Sequence, residues 1–142
     1  MKEMKKILVA LDGSKNSVRG LAKAIEMAKI NNSKIIGINV VELPMSYFLG
    51  RPKMKIKTDM AKESKKILES AKKKCERSRI DFELKIIPGG DPGYDIVKFA
   101  KKTNVDVIVI GARGLNPIKE MFLGSVSNYI LHKSKIPVLV IK

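Results

Sequence analysis

The chain has 142 residues, 44% of them hydrophobic, and a net charge of +15 from 29 Lys and Arg against 14 Asp and Glu. That length predicts one domain, spanning residues 1–142, with a sizeable core. A lone Cys75 excludes an internal disulfide and fits a reducing compartment, and the N-terminal apolar run stops at Asp12, too short for a signal peptide or a membrane span, so a cytoplasmic protein is expected.

Residues 5–11 read as a buried strand, because Ile7, Leu8, Val9, Ala10 and Leu11 run without polar interruption, as in parallel strands covered on both faces. Ser14 stands where it can cap the next helix. In that helix Val18, Leu21, Ala22, Ile25 and Ala28 recur at helical spacing through about residue 31. Lys34 to Val41 is a second strand. Residues 42–57 have no clear period, with Pro44, Gly50 and Pro52 as breakers. Met45, Tyr47, Phe48 and Leu49 make this stretch too apolar for a purely solvated loop: it packs on its own domain, packs on a partner subunit, or acts as a lid.

A long helix is predicted from about 58 to 79, with Met60, Ser64, Ile67, Leu68, Ala71 and Cys75 on one face. That stripe makes Cys75 a core residue and not a nucleophile. Residues 81–87 alternate as a strand. Residues 88–92 form a turn in which Asp91 caps the next helix and Pro92 takes its first position. Ile96, Val97 and Ala100 face inward on that helix. A fourth strand at 105–110, a helix at 124–133 and a fifth strand at 136–141 complete the pattern. Alternating strands and helices predict an α/β sandwich around a parallel sheet with right-handed crossovers.

Charge is concentrated in one segment. Residues 51–79 hold twelve Lys or Arg and four Asp or Glu, so they supply +8 of the +15. This is either a solvated lysine-rich helix face or a surface for an anionic partner such as nucleic acid. Three Tyr, four Phe and no Trp argue against base stacking.

The densest chemical signal follows the fourth strand. Gly111-Ala112-Arg113-Gly114 precedes Gly124-Ser125-Val126-Ser127 by nine residues. Strand, glycine loop and helix start make a phosphate site: glycines with positive φ let the backbone approach a ligand, and helix N–H groups attract anions. Ser125 and Ser127 add hydroxyl donors. No Lys follows Gly124, so this is not the P-loop, and no G-x-G-x-x-G is present. A glycine-rich turn with no ligand is the alternative.

The whole chain resembles the universal stress protein family. The resemblance rests on Lys6-Ile7-Leu8-Val9-Ala10-Leu11-Asp12-Gly13-Ser14, on the glycine loop, and on Ile136-Pro137-Val138-Leu139-Val140-Ile141-Lys142. It departs at His132-Lys133-Ser134-Lys135-Ile136-Pro137, where members often read His-Ala-x-Cys-Pro. Members carrying this loop bind ATP, so the resemblance implies the ATP-binding branch, a regulatory or stress-response role, and ATP as the ligand, with Mg²⁺ carried on it. It implies a three-layer sandwich with a five-stranded parallel sheet of order 3-2-1-4-5, helices on both faces, and a homodimer through strand 136–141. The ligand then lies beyond the carboxyl ends of strands 1 and 4, where the order switches direction.

The implied cofactor-binding residues are Leu11, Asp12, Val41, Gly111, Arg113, Gly114, Gly124, Ser125, Val126 and Ser127. Asp12 falls on the adenosine side, though alone it reads as a turn residue before Gly13. Val41 reads as core, and by the resemblance its backbone meets the adenine edge. Arg113 either reaches terminal phosphate oxygens or points to solvent. His132 suits a helix C-terminus. No His/Cys metal spacing, catalytic triad or convincing general base is visible, which favours a binding or signalling module over a fast hydrolase. A slow ATPase, or a nucleic-acid-associated protein using residues 51–79, is the alternative.

Overall fold

Strand and helix alternate in the computed structural model, which describes residues 3–42, 53–115 and 122–142, with side chains excepted at 42 and 53–61. The elements are β1 (Lys6–Ala10), α1 (Lys15–Asn31), β2 (Lys34–Glu42), α2 (Lys53–Arg77), β3 (Phe82–Gly89), α3 (Pro92–Thr103), β4 (Val107–Gly111), α4 (Ser125–Lys133) and β5 (Val138–Ile141). The five strands form one sheet of order β3-β2-β1-β4-β5. Every pairing is parallel, with Ile7 opposite Ile35 and Val107, and Val109 opposite Leu139.

The pleat sorts the strand residues into two cores. Ile7 and Val9 of β1 join Val107 and Val109 of β4 and Ile35 of β2 beneath α1 and α2, where Leu21, Ala24, Ala28, Leu68, Ala71 and Cys75 cover them. Leu8, Ile36, Ile38, Ile108 and Ile110 face the other way, under Ile96 and Ala100 of α3 and Ile130 of α4. This is why β1 and β4 read as unbroken apolar runs and β2 as a largely apolar one: both faces are covered.

Local signals set most boundaries. Ser14 caps α1 by accepting from the Ser17 amide, and Asn32, at φ 53°, ends it in the left-handed region. Asp91 caps α3 by accepting from the Tyr94 amide, with Pro92 at the first helical position. Burial holds the Cys75 thiol neutral, raising its pKa to about 11, with the Glu76 charge adding to the effect. This thiol is an inert core group.

Several expectations need correction. Helix α2 starts at Lys53 and ends at Arg77, because the lysine-rich first turns hold helix without an apolar period to announce it. Strand β3 runs on through Pro88 and Gly89, opposite Val41 and Glu42; Pro is tolerated there because β3 is an edge strand. Val18 is 43% exposed, so the buried stripe of α1 is narrower than its spacing suggests. Strand β5 begins at Val138, two residues later than expected. The apolar cluster Met45, Tyr47, Phe48 and Leu49 lies outside the described residues.

Candidate functional site

At the carboxyl ends of the strands the sheet opens into a cleft of about 520 Å³. It lies where the chain order reverses, β1 continuing into α1 on one face and β4 leading toward α4 on the other. Leu11, Asp12, Val41, Gly111, Arg113, Gly114, Gly124, Ser125, Val126 and Ser127 all line it.

The turn after β1 is built by Asp12. Its Oδ1 accepts from the Ser14 amide at 2.8 Å. Gly13 then takes φ +86°, the left-handed conformation that a side chain disfavours, and Ile67 of α2 packs over it. Asp12 Oδ2 stays outside this turn and lies 2.9 Å from where a Cβ on Gly114 would stand. Two segments some hundred positions apart thus meet at one carboxylate oxygen.

The glycines of the loop act differently from expectation. Gly13 alone among the described glycines has positive φ. Gly111 ends β4, and a Cβ on it would sit 2.7 Å from Cβ of Asn16, so its bare backbone makes room for the start of α1. Gly124 is extended, φ −74° and ψ 169°, as the N-cap of α4.

Ala112 draws the loop shut. Its carbonyl accepts from the Gly124 amide at 2.7 Å and from Ser127 Oγ at 2.7 Å. The Ser127 hydroxyl has a single proton, and both acceptors within its reach are backbone carbonyls, Ala112 O and Gly124 O. Ser127 thus fastens α4 to β4 through its hydroxyl. Helix α4 has no side-chain cap, so its first-turn amides at Ser125, Val126 and Ser127 are left for an anion.

The opposite wall holds residues that sequence reasoning missed. Asn39 Nδ2 donates to the Leu11 carbonyl at 2.6 Å, and Ser64 Oγ donates to Asn39 Oδ1 at 2.6 Å. This half-buried relay ties α2 to the ends of β2 and β1. Glu63 and Ile67 of α2 line the same wall, and Pro92 and Ile96 of α3 line another side. The signal was present: Asn39 is a polar interruption in the apolar run of β2. Among the described residues no three of His, Cys, Asp and Glu group as a metal site.

The match to a known family model decides the kinship: residues 3–142 fit that of the universal stress protein family. The chain belongs to the universal stress protein family. The universal stress protein YxiE of Bacillus subtilis is 35% identical to it over 153 aligned positions, covering 96% of this chain and 98% of YxiE. The structure of MJ0577 from Methanocaldococcus jannaschii superposes with a TM-score of 0.88 at 27% identity, over 99% of this chain and 97% of that one. A universal stress protein from Archaeoglobus fulgidus, solved in complex with dAMP, gives a TM-score of 0.77 at 26% identity, over 99% and 100% of the two chains.

Proposed function

We propose that this universal stress protein binds ATP in the cleft and acts as a regulatory, stress-response module that signals through the bound nucleotide. One observation carries the reading. The ends of β1, β2 and β4 and the uncapped start of α4 line a single cleft of nucleotide size. The dAMP complex of the Archaeoglobus fulgidus relative supports an adenine nucleotide.

In this reading the phosphates lie against the amides of Ser125, Val126 and Ser127, with the Arg113 guanidinium beside the terminal one. Leu11, Asp12 and Val41 take the adenosine. Asp12 Oδ2, outside its own turn, suits a Mg²⁺ carried on the phosphates, since that ion keeps few protein ligands. Magnesium would there neutralise phosphate charge. Replacing Gly124 tests the reading. Its Cβ would meet only ordinary contacts, the nearest at 3.5 Å, so Gly124→Val is expected to fold while its branches fill the space before the α4 amides. Calorimetric titration should show ATP binding weakened by about a hundredfold, ~2.7 kcal/mol. Unchanged affinity in the folded variant would overturn the reading.

Hydrolysis should be slow, because no P-loop lysine follows the glycines and no paired general base stands in the cleft among the described residues. Steady-state turnover of MgATP by pure protein should fall far below the ~10 s⁻¹ of a median enzyme.

The reading includes a cytoplasmic homodimer joined through residues 136–141. All four residues of β5 are half-buried at the sheet edge, and an uncovered apolar edge favours pairing. The buried thiol suits a reducing compartment. No helix among the described residues is long and apolar enough to cross a membrane. For the basic segment 51–79 we favour a solvated face over a nucleic-acid surface, because Glu63, Glu69 and Glu76 interleave its lysines.

A further inference from the structure

Among the described residues, three charged side chains line the cavity: Arg113 and Asp12 stand at the glycine loop, with Asp12 Oδ2 close to Gly114, and Glu63 stands apart from them on the α2 wall. Helices α2 and α4 cover opposite faces of the sheet. The other polar side chains on the α2 wall are already engaged: Ser64 with Asn39, and Asn39 with the Leu11 carbonyl. Glu63 has no hydrogen-bond or ion-pair partner among the described residues, and it is exposed at the rim. The α2 wall thus offers one unengaged carboxylate, Glu63, away from the donor amides at the start of α4.

This division constrains a bound nucleotide. A phosphate beside Glu63 would meet a like charge, whereas a sugar hydroxyl would donate to it in a charge-assisted hydrogen bond. In a general arrangement of nucleotide sites, a carboxylate near the end of a strand reads ribose hydroxyls. Here the acceptor comes from a helix, α2, held in place by the Ser64–Asn39–Leu11 relay.

We propose that Glu63 is a specificity-determining residue that accepts a hydrogen bond from a ribose hydroxyl, making the cleft selective for ribonucleotides over deoxyribonucleotides. The inference rests on the nucleotide-binding reading and deepens it. The test is calorimetric titration of the full chain with ATP, 2′-deoxy-ATP and 3′-deoxy-ATP, on wild type, Glu63→Gln and Glu63→Ala. The exposed position makes both variants fold-neutral, which circular dichroism checks. Wild type should prefer ATP over at least one deoxy analogue by about tenfold. Glu63→Ala should bring that ratio close to one by weakening ATP while leaving the discriminated analogue unchanged, and Glu63→Gln should fall between. A wild-type ratio near one overturns the inference, as does a ratio that survives in Glu63→Ala. Tighter ATP binding in Glu63→Ala also overturns it, because the carboxylate would then face phosphate. Failure of wild type to bind any of the three nucleotides overturns the nucleotide reading itself, and the inference with it.

Discussion

Gly111 and Gly124 belong to one motif, yet the structure asks opposite things of them. A Cβ on Gly111 would press on Cβ of Asn16 at 2.7 Å and on the Asn16 carbonyl carbon at 3.1 Å, and a helix start cannot yield as a flexible side chain does. A Cβ on Gly124 meets nothing closer than 3.5 Å. Gly111→Ala should therefore cost stability, about 1–3 kcal/mol by the usual scale of overpacking, whereas Gly124→Ala should stay close to wild type. Urea denaturation of the two variants checks this, and equal midpoints would contradict it. The contrast shows what was readable at this scale. The motif identified both glycines, but the reason for Gly111 lies in Asn16, about a hundred residues away in sequence. Ser127 is similar: its place in the motif was evident, but the Ala112 carbonyl that occupies its hydroxyl appears only when β4 and α4 meet.

At the scale of elements, β1, β2, β4 and the capped helices α1 and α3 were legible because each carries its own signal, a largely apolar run or a capping side chain. The start of α2 was not, since Lys53, Lys55 and Lys57 interrupt any apolar period there. Strand β3 announced itself by alternation, but not its continuation through Pro88. That edge strand carries an ion cluster: Glu83 takes Lys34 of β2 at 2.8 Å and Lys85 at 3.0 Å. Hydrogen bonds from Lys34 and then Lys85 hold the Glu83 carboxyl below its usual range. The Glu83 hydrogen bond in turn raises Lys34. A lowered carboxyl stabilises the fold above the ordinary glutamate range and ceases to do so as pH falls through the lowered value. A raised amine contributes below the ordinary lysine value and is lost as pH rises through the raised one. All three side chains are more than a third exposed, so solvent screening holds the effect to about 1 kcal/mol or less. Glu83→Gln should thus lower the urea midpoint at neutral pH, and its deficit should shrink both in acid and in 1 M salt.

For the whole molecule, the strand order came from family resemblance and not from periodicity, which cannot say which strands are neighbours. The structure agrees with that order and leaves β3 and β5 as edges. They differ in character: β3 displays Glu83, Lys85 and Pro88, all features that discourage pairing, while β5 displays Val138, Leu139, Val140 and Ile141. If β5 pairs with its copy about a two-fold axis, Val140→Lys puts a charge in the middle of the shared edge. Sedimentation equilibrium should find wild type at about twice 15.8 kDa and the variant shifted toward the single-chain mass, with circular dichroism retained. A wild-type monomer across micromolar concentrations would contradict the dimer.

The central position of β1 also bears on how the chain is made. β1 precedes the other four strands of the sheet in sequence, yet one of its two neighbours, β4, comes about a hundred residues later. Until then one side of β1 has no partner, and the apolar face that α1 covers is incomplete. The elements that finish the sheet, β4 and β5, are also those that bring the glycine loop and the outer edge. Closure of the sheet therefore waits for β4, and the cleft beyond the ends of β1 and β4 cannot form before that strand is in place.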